Sequence, residues 1–209
     1  MKNLIKLFRL IELTRAQPQY GYVLAEIPKS ELSDLAQHHY LVTFIAWQLA
    51  RSAKRAGAKI NLEKVLEFSL VHDLGELFGG DISMPYAKAN PAAREKAKAF
   101  EAENQKYLAS FFDDDQEYFQ QLSNEIMDVT SDEGIVVKIA DYIEVTQYKL
   151  YVRRLSKNDI TMAKNKMILL IDKLTDKITK RELLKFIEHW SSELGKGKLD
   201  ELFESAKAD

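Results

Sequence analysis

Apolar residues return every three or four positions from the start of the chain. Leu4, Ile5, Phe8, Leu10, Ile11 and Leu13 keep that period and predict an amphipathic helix. Residues 17–32 carry Pro18, Gly21 and Pro28 and predict a loop. A second helix is expected from Asp34, whose side chain can cap the backbone while Gln37 reaches back in capping-box spacing, to Gly57. A third begins near Asn61, carries Val65 through Leu77 and is stopped by Gly79 and Gly80. Residues 79–91 form a second loop, and further helices are expected over 91–112, 115–130, 133–154, 157–176 and 179–206. No segment alternates with strand period and no internal repeat is present. The expected class is all-α: a single domain over 1–209, a bundle of about eight helices.

Composition sharpens this picture. All four prolines lie in the first 91 residues, and residues 92–209 hold only three glycines. Long uninterrupted helices have this composition, because Pro and Gly are the residues they tolerate least. With 46% hydrophobic residues the chain can bury a core. Thirty basic and thirty-two acidic residues give a net charge of −2, which argues against a nucleic-acid partner. No apolar run approaches the ~20 residues that span a bilayer. The first 17 residues lack both the continuous apolar stretch and the cleavage site of a secretory signal. The expectation is a cytoplasmic protein without a membrane partner.

Zero cysteine excludes disulfides, thiolate nucleophiles and every Cys-based metal site. A metal centre here must be built from His, Asp and Glu. His72 and Asp73 are adjacent in an apolar segment, where burying both is costly unless a cation compensates. Glu76 follows four residues after His72 and three after Asp73, so all three fit one side of a helix. Asp81 follows the glycine pair, where the chain can turn back. His38 falls in the first turn of the second helix, and Asp141 is an acid inside the apolar sixth. Two imidazoles and two carboxylates suit Mn²⁺, Co²⁺, Fe²⁺, Zn²⁺ or Ni²⁺ better than Ca²⁺. The ligands would come from the second, third and sixth helices.

The order His38, His72-Asp73, Asp141 resembles the H…HD…D signature of the HD-domain metal-dependent phosphohydrolases. Glu76, Gly80-Asp81 and Pro85 extend the likeness toward the 5′-deoxynucleotidase branch, over roughly residues 1–155. The resemblance implies one divalent ion held by His38, His72, Asp73 and Asp141, with Glu76 as acid/base residue and Asp81 in substrate positioning. The implied reaction is hydrolysis of a deoxyribonucleoside 5′-monophosphate to nucleoside and phosphate. Family members carry an Arg followed by an aromatic residue in the loop before the first ligand. Here that stretch reads Gln17-Pro18-Gln19-Tyr20-Gly21-Tyr22, which leaves Arg15 as the nearest candidate to bind phosphate and Lys29 as the second. The branch also implies a homodimer.

Other readings of the same residues stay open. Asp141 by itself could simply pair with Lys138, and His72-Asp73 could be a buried hydrogen-bonded pair. His39 is read as a neighbour of the ligand, facing its surroundings or solvent, and His189 as structural. Glu144, three residues after Asp141, is read as a solvated acid in preference to an outer partner of the site, and Asp113–Asp115 as a capping run at a helix junction. The final helix, with Leu183, Leu184, Phe186, Ile187 and Trp190, either closes the core or meets another subunit. The functional alternatives are an HD hydrolase of nucleoside triphosphates or another phosphoester, and a non-catalytic helical protein for regulation or assembly.

Overall fold

A computed structural model describes residues 2–79, 82–196 and 201. The described residues form nine α-helices joined by short 3₁₀ turns and no strand, an all-α fold. The helices are α1 (Lys2–Ile11), α2 (Leu35–Arg55), α3 (Leu62–Val71), α4 (Met84–Ala89), α5 (Pro91–Ala109), α6 (Gln116–Asp128), α7 (Asp132–Tyr151), α8 (Lys157–Ile171) and α9 (Lys177–Glu193). The count exceeds the expected eight because α4 forms inside the predicted 79–91 loop. The predicted 17–32 loop likewise holds two 3₁₀ turns, Tyr20–Ala25 and Lys29–Glu31.

Side-chain caps set most helix starts. Asp34 accepts the Gln37 backbone N–H at 2.8 Å. The Gln37 amide reaches the Asp34 carboxylate rather than its backbone, so only half of the expected capping box forms. Asn61 caps α3, Asn90 caps α5 and Ser131 caps α7 in the same manner. Ser156 and Asp159 complete a reciprocal capping box on α8.

α7 is the central rod. Ile135, Val136, Val137, Ile139, Ala140 and Ile143 are all buried, so this helix is apolar around most of its circumference and packs on α2, α3 and α8. α2, which packs on α7, α3 and α9, buries Val42, Ala46, Leu49, Ala50 and Ala53. The polar first turns of α2 meet the middle of α7, where His38 Nδ1 lies 2.7 Å from Glu144 Oε2. Leu183, Ile187 and Trp190 of α9 are buried against this frame while Phe186 stays exposed, so that apolar face mostly closes the core. α9 ends at Glu193, and most of the helix expected beyond it, to 206, lies outside the described residues.

The third helix departs most from expectation. α3 stops at Val71, and residues Leu74–Phe78 continue as a 3₁₀ turn. In an unbroken helix the Val71 carbonyl would accept from the Gly75 N–H. Instead it accepts from the Gln105 amide at 3.2 Å, and the Gly75 carbonyl accepts from Asn104 at 2.7 Å. Two buried amides of α5 thus take over the backbone. Gly75 allows the approach, since a Cβ there would lie 2.9 Å from the Glu101 carbonyl oxygen. His72, Asp73 and Glu76 therefore do not share one α-helical face, contrary to the sequence expectation.

Candidate metal centre

The break after α3 sets the geometry of the polar cluster. His72 is the C-terminal cap of α3, and Asp73, with φ −118° and ψ 17°, turns its carboxylate toward α2 and α7. His38 projects from the first turns of α2 and is fully buried. His38 Nε2 lies 3.2 Å from His72 Nε2. One oxygen of Asp73, Oδ2, stands 3.3 Å from each of these two nitrogens. Asp141 Oδ1 lies 3.5 Å from His38 Nε2. The ligand atoms of His38, His72 and Asp73 all fall within 4.8 Å of one another.

The outer ring nitrogens are already committed. His38 Nδ1 is 2.7 Å from Glu144 Oε2, and His72 Nδ1 is 2.9 Å from the Ser69 carbonyl. Carboxylate and carbonyl oxygens only accept, so each Nδ1 carries its proton and each neutral ring presents a bare Nε2. Two lone pairs at 3.2 Å, facing a shared carboxylate oxygen, repel unless a cation stands among them. This donor set fits a divalent ion of the first transition row, held by imidazole and carboxylate and oriented by outer hydrogen bonds. Without an ion, a proton takes that place. Burial pulls the His38 pKa down, but Asp73, Glu144 and Asp141 outweigh it and carry the imidazole well above its usual range.

The carboxylates are held ionised. Burial works to raise Asp73, yet His72, His38 and Lys138 bring it well below the usual carboxylate range. Asp141 is lowered against its own burial chiefly by Lys138, whose Nζ lies 2.6 Å from Asp141 Oδ2. The pairing of Asp141 with Lys138 and its approach to His38 are thus both present, one oxygen for each.

Glu144 corrects the sequence reading. It is not a solvated acid but is 2% exposed, accepting from the Tyr22 hydroxyl at 3.1 Å while holding His38. The available signal was its position three residues after Asp141 on an apolar helix. His39 is buried and faces its neighbours rather than solvent, its ring centre 4.8 Å from that of His72. Burial, with the two neighbouring imidazoles of His72 and His38 adding to it, lowers its pKa well below the usual range. His189 is exposed on α9.

Glu76 is half-buried and lines a small cleft with Gln17, Pro18, Gln19, Tyr20, Leu35 and Gly79. Gln17 closes one wall by donating its amide to the Leu77 carbonyl at 2.9 Å. Arg15 does not line this cleft; it is exposed and pairs with Glu12 at 2.7 Å. Asp81 lies outside the described residues. Glu101 of α5 also borders the cluster, and its carboxyl is pushed up to about 7 by burial and by the charge of Asp73.

A family model described as an HD domain matches residues 21–181. A 5′-deoxynucleotidase of Vibrio vulnificus is 34% identical over 113 residues, 53% of this chain and 57% of that protein. A 5′-deoxynucleotidase of Photobacterium profundum is 30% identical over 110 residues, 52% of this chain and 56% of that one. The chain thus spans just over half the length of these curated relatives. Among solved structures, a conserved hypothetical protein from Pyrococcus furiosus superposes with a TM-score of 0.68 at 27% identity, covering 91% of this chain and 99% of that one. A Pyrococcus horikoshii protein superposes with a TM-score of 0.66 at 22% identity, over 90% and 98% of the two chains, a likeness of fold.

Proposed function

The chain belongs to the HD-domain family, and from that premise we propose that it is a metal-dependent phosphohydrolase removing phosphate from deoxyribonucleoside 5′-monophosphates. The observation that carries this reading is the pair of inward-facing imidazole Nε2 atoms 3.2 Å apart, with Asp73 Oδ2 3.3 Å from each. The 5′-deoxynucleotidase names of the partial-length relatives support the substrate class.

In this proposal His38, His72, Asp73 and Asp141 hold one divalent ion. When bound, the ion supplies Lewis acidity that lowers the pKa of water and draws charge from the phosphoryl group. Glu144 and the Ser69 carbonyl keep both imidazoles in the tautomer that presents Nε2 inward. Lys138 keeps Asp141 ionised. Glu76, on the cleft wall, takes a proton from the attacking water and returns one to the departing 5′-oxygen. Asp81 is assigned to substrate positioning, and Arg15 to phosphate only by its charge.

One observation favours a second substrate class, a nucleoside triphosphate or another phosphoester. The cleft wall contributed by residues 17–20 contains no cation. Product analysis over a panel of nucleoside mono- and triphosphates with added Mn²⁺ or Co²⁺ separates the readings. Orthophosphate from the deoxyribonucleoside monophosphates is expected, and triphosphate release from the triphosphates would support the second class. No phosphate ester hydrolysed at any metal concentration would leave a non-catalytic role.

A further inference from the structure

A group of cations lies on the α7–α8 side of the site. Lys138 Nζ, paired with Asp141, lies 5.8 Å from the centre of the Tyr142 ring. Lys166, on the facing helix α8, holds its Nζ 4.9 Å from the centre of the same ring. Arg94 of α5 acts electrostatically on the Tyr142 phenol as well. Three helices thus direct positive charge at one half-buried aromatic residue next to a candidate metal ligand.

Lys138 and Lys166 differ in one respect. Lys138 is neutralised by Asp141 at 2.6 Å. Lys166 is half-buried, and no carboxylate of the described residues pairs with it. Of the charges facing it, Lys138 is paired with Asp141 and Lys149 with Asp159 at 2.7 Å, so among the described residues Lys88 of α4 is the cation without a carboxylate partner. Burial and this crowd, Lys88 foremost, lower its pKa. Packing on Tyr142 alone explains an aliphatic stem and a cation over a ring. It does not explain why a half-buried ammonium is set among other ammoniums. A dianionic group entering the site would relieve that repulsion, accept N–H bonds from Lys166 and cancel excess charge.

The position matters because the 17–32 loop offers no Arg to the cleft. We propose that Lys166, seated on Tyr142 beside Lys138, binds the phosphoryl group of the substrate and supplies the cation that residues 17–22 lack. The inference rests on the phosphohydrolase reading for its substrate, but not for its anion.

Inorganic phosphate is the probe. Its dissociation constant for the Mn²⁺-loaded protein is measured by calorimetry for wild type, Lys166→Met and Lys166→Arg, together with KM and kcat for deoxyribonucleoside monophosphates. Losing one charge-assisted contact is expected to weaken phosphate about tenfold. KM should rise by a similar factor with kcat within about twofold, Lys166→Arg should recover most of the loss, and Mn²⁺ stoichiometry should not change. Phosphate bound equally by wild type and folded Lys166→Met overturns the proposal, as does wild-type protein that binds no phosphate. If wild type hydrolyses nucleotides and phosphate affinity ignores position 166, this inference fails and the phosphohydrolase reading stands. If nothing is hydrolysed but phosphate binding falls in Lys166→Met, the reverse holds.

Discussion

Glu144 Oε2 lies 2.7 Å from His38 Nδ1 at a depth where neither side chain meets solvent. That single contact decides which nitrogen of His38 faces the cluster. Replacing Glu144 with Ala releases the tautomer and leaves the Tyr22 hydroxyl without its acceptor. Mn²⁺ affinity is expected to fall about 10- to 100-fold by calorimetry. Glu144→Gln, whose amide oxygen still accepts, should lose less. Equal Mn²⁺ affinity in wild type and Glu144→Ala would show that the carboxylate does not orient the ring.

Gly75 makes a stability prediction. A methyl group there would stand 2.4 Å from Glu101 Cγ and 2.9 Å from the Glu101 carbonyl oxygen. The side-chain atom can move but the backbone oxygen cannot without shifting α5. Gly75→Ala should therefore destabilise the fold by about 2–3 kcal/mol in urea unfolding. An unchanged midpoint would mean that the turn after α3 is not pinned to α5.

The raised carboxyl of Glu101 couples stability to pH. Its folded value of about 7 exceeds the ordinary 4.5, so between these values the folded protein keeps a proton that the unfolded chain releases. Its contribution to stability is whole below 4.5 and is lost as pH rises through about 7. Glu101→Gln removes that loss. In metal-free protein at pH 8 the variant should be more stable by roughly 1 kcal/mol, a rise of ~2–4 °C in Tm, and near pH 4 the two should melt together. A variant less stable than wild type at pH 8 would contradict the assignment.

Asp159 works in the opposite sense. Burial raises its pKa, but Lys149 at 2.7 Å and the hydroxyl and backbone of Ser156 hold it below the usual range. Its contribution is present above the ordinary carboxylate pKa and lost as pH falls through the lowered one. Asp159→Ala should cost about 1–2 kcal/mol at pH 7, and the difference from wild type should shrink toward pH 2. Denaturant melts at both pH values test the sign.

What the sequence made legible follows from how local each signal is. α2 and α7 are long periodic segments with capping side chains beside them, so their extent was readable to within a few residues. His38, His72 and Asp73 converge as their spacing on separate helices implied. The break after Val71 was hidden because its cause is Gln105, 34 residues away, competing for a carbonyl that local pattern assigns to a helix. α4 was hidden by its shortness and by Pro85, which reads as a loop signal yet is tolerated in a first turn. Glu144 was misread because an acid three residues after Asp141 looks the same whether it meets water or His38. Only the approach of α2 and of Tyr22 to α7 tells them apart.

The central claim is that His38, His72, Asp73 and Asp141 hold one divalent ion that phosphoester hydrolysis requires. The most direct measurement is phosphate release from deoxyribonucleoside 5′-monophosphates by metal-stripped protein titrated with Mn²⁺ or Co²⁺, wild type beside Asp73→Ala. The account predicts activity that rises from zero, saturates near one ion per chain, and is absent in Asp73→Ala at the same concentrations. Activity that persists in the stripped protein, or that survives Asp73→Ala unchanged, would contradict it.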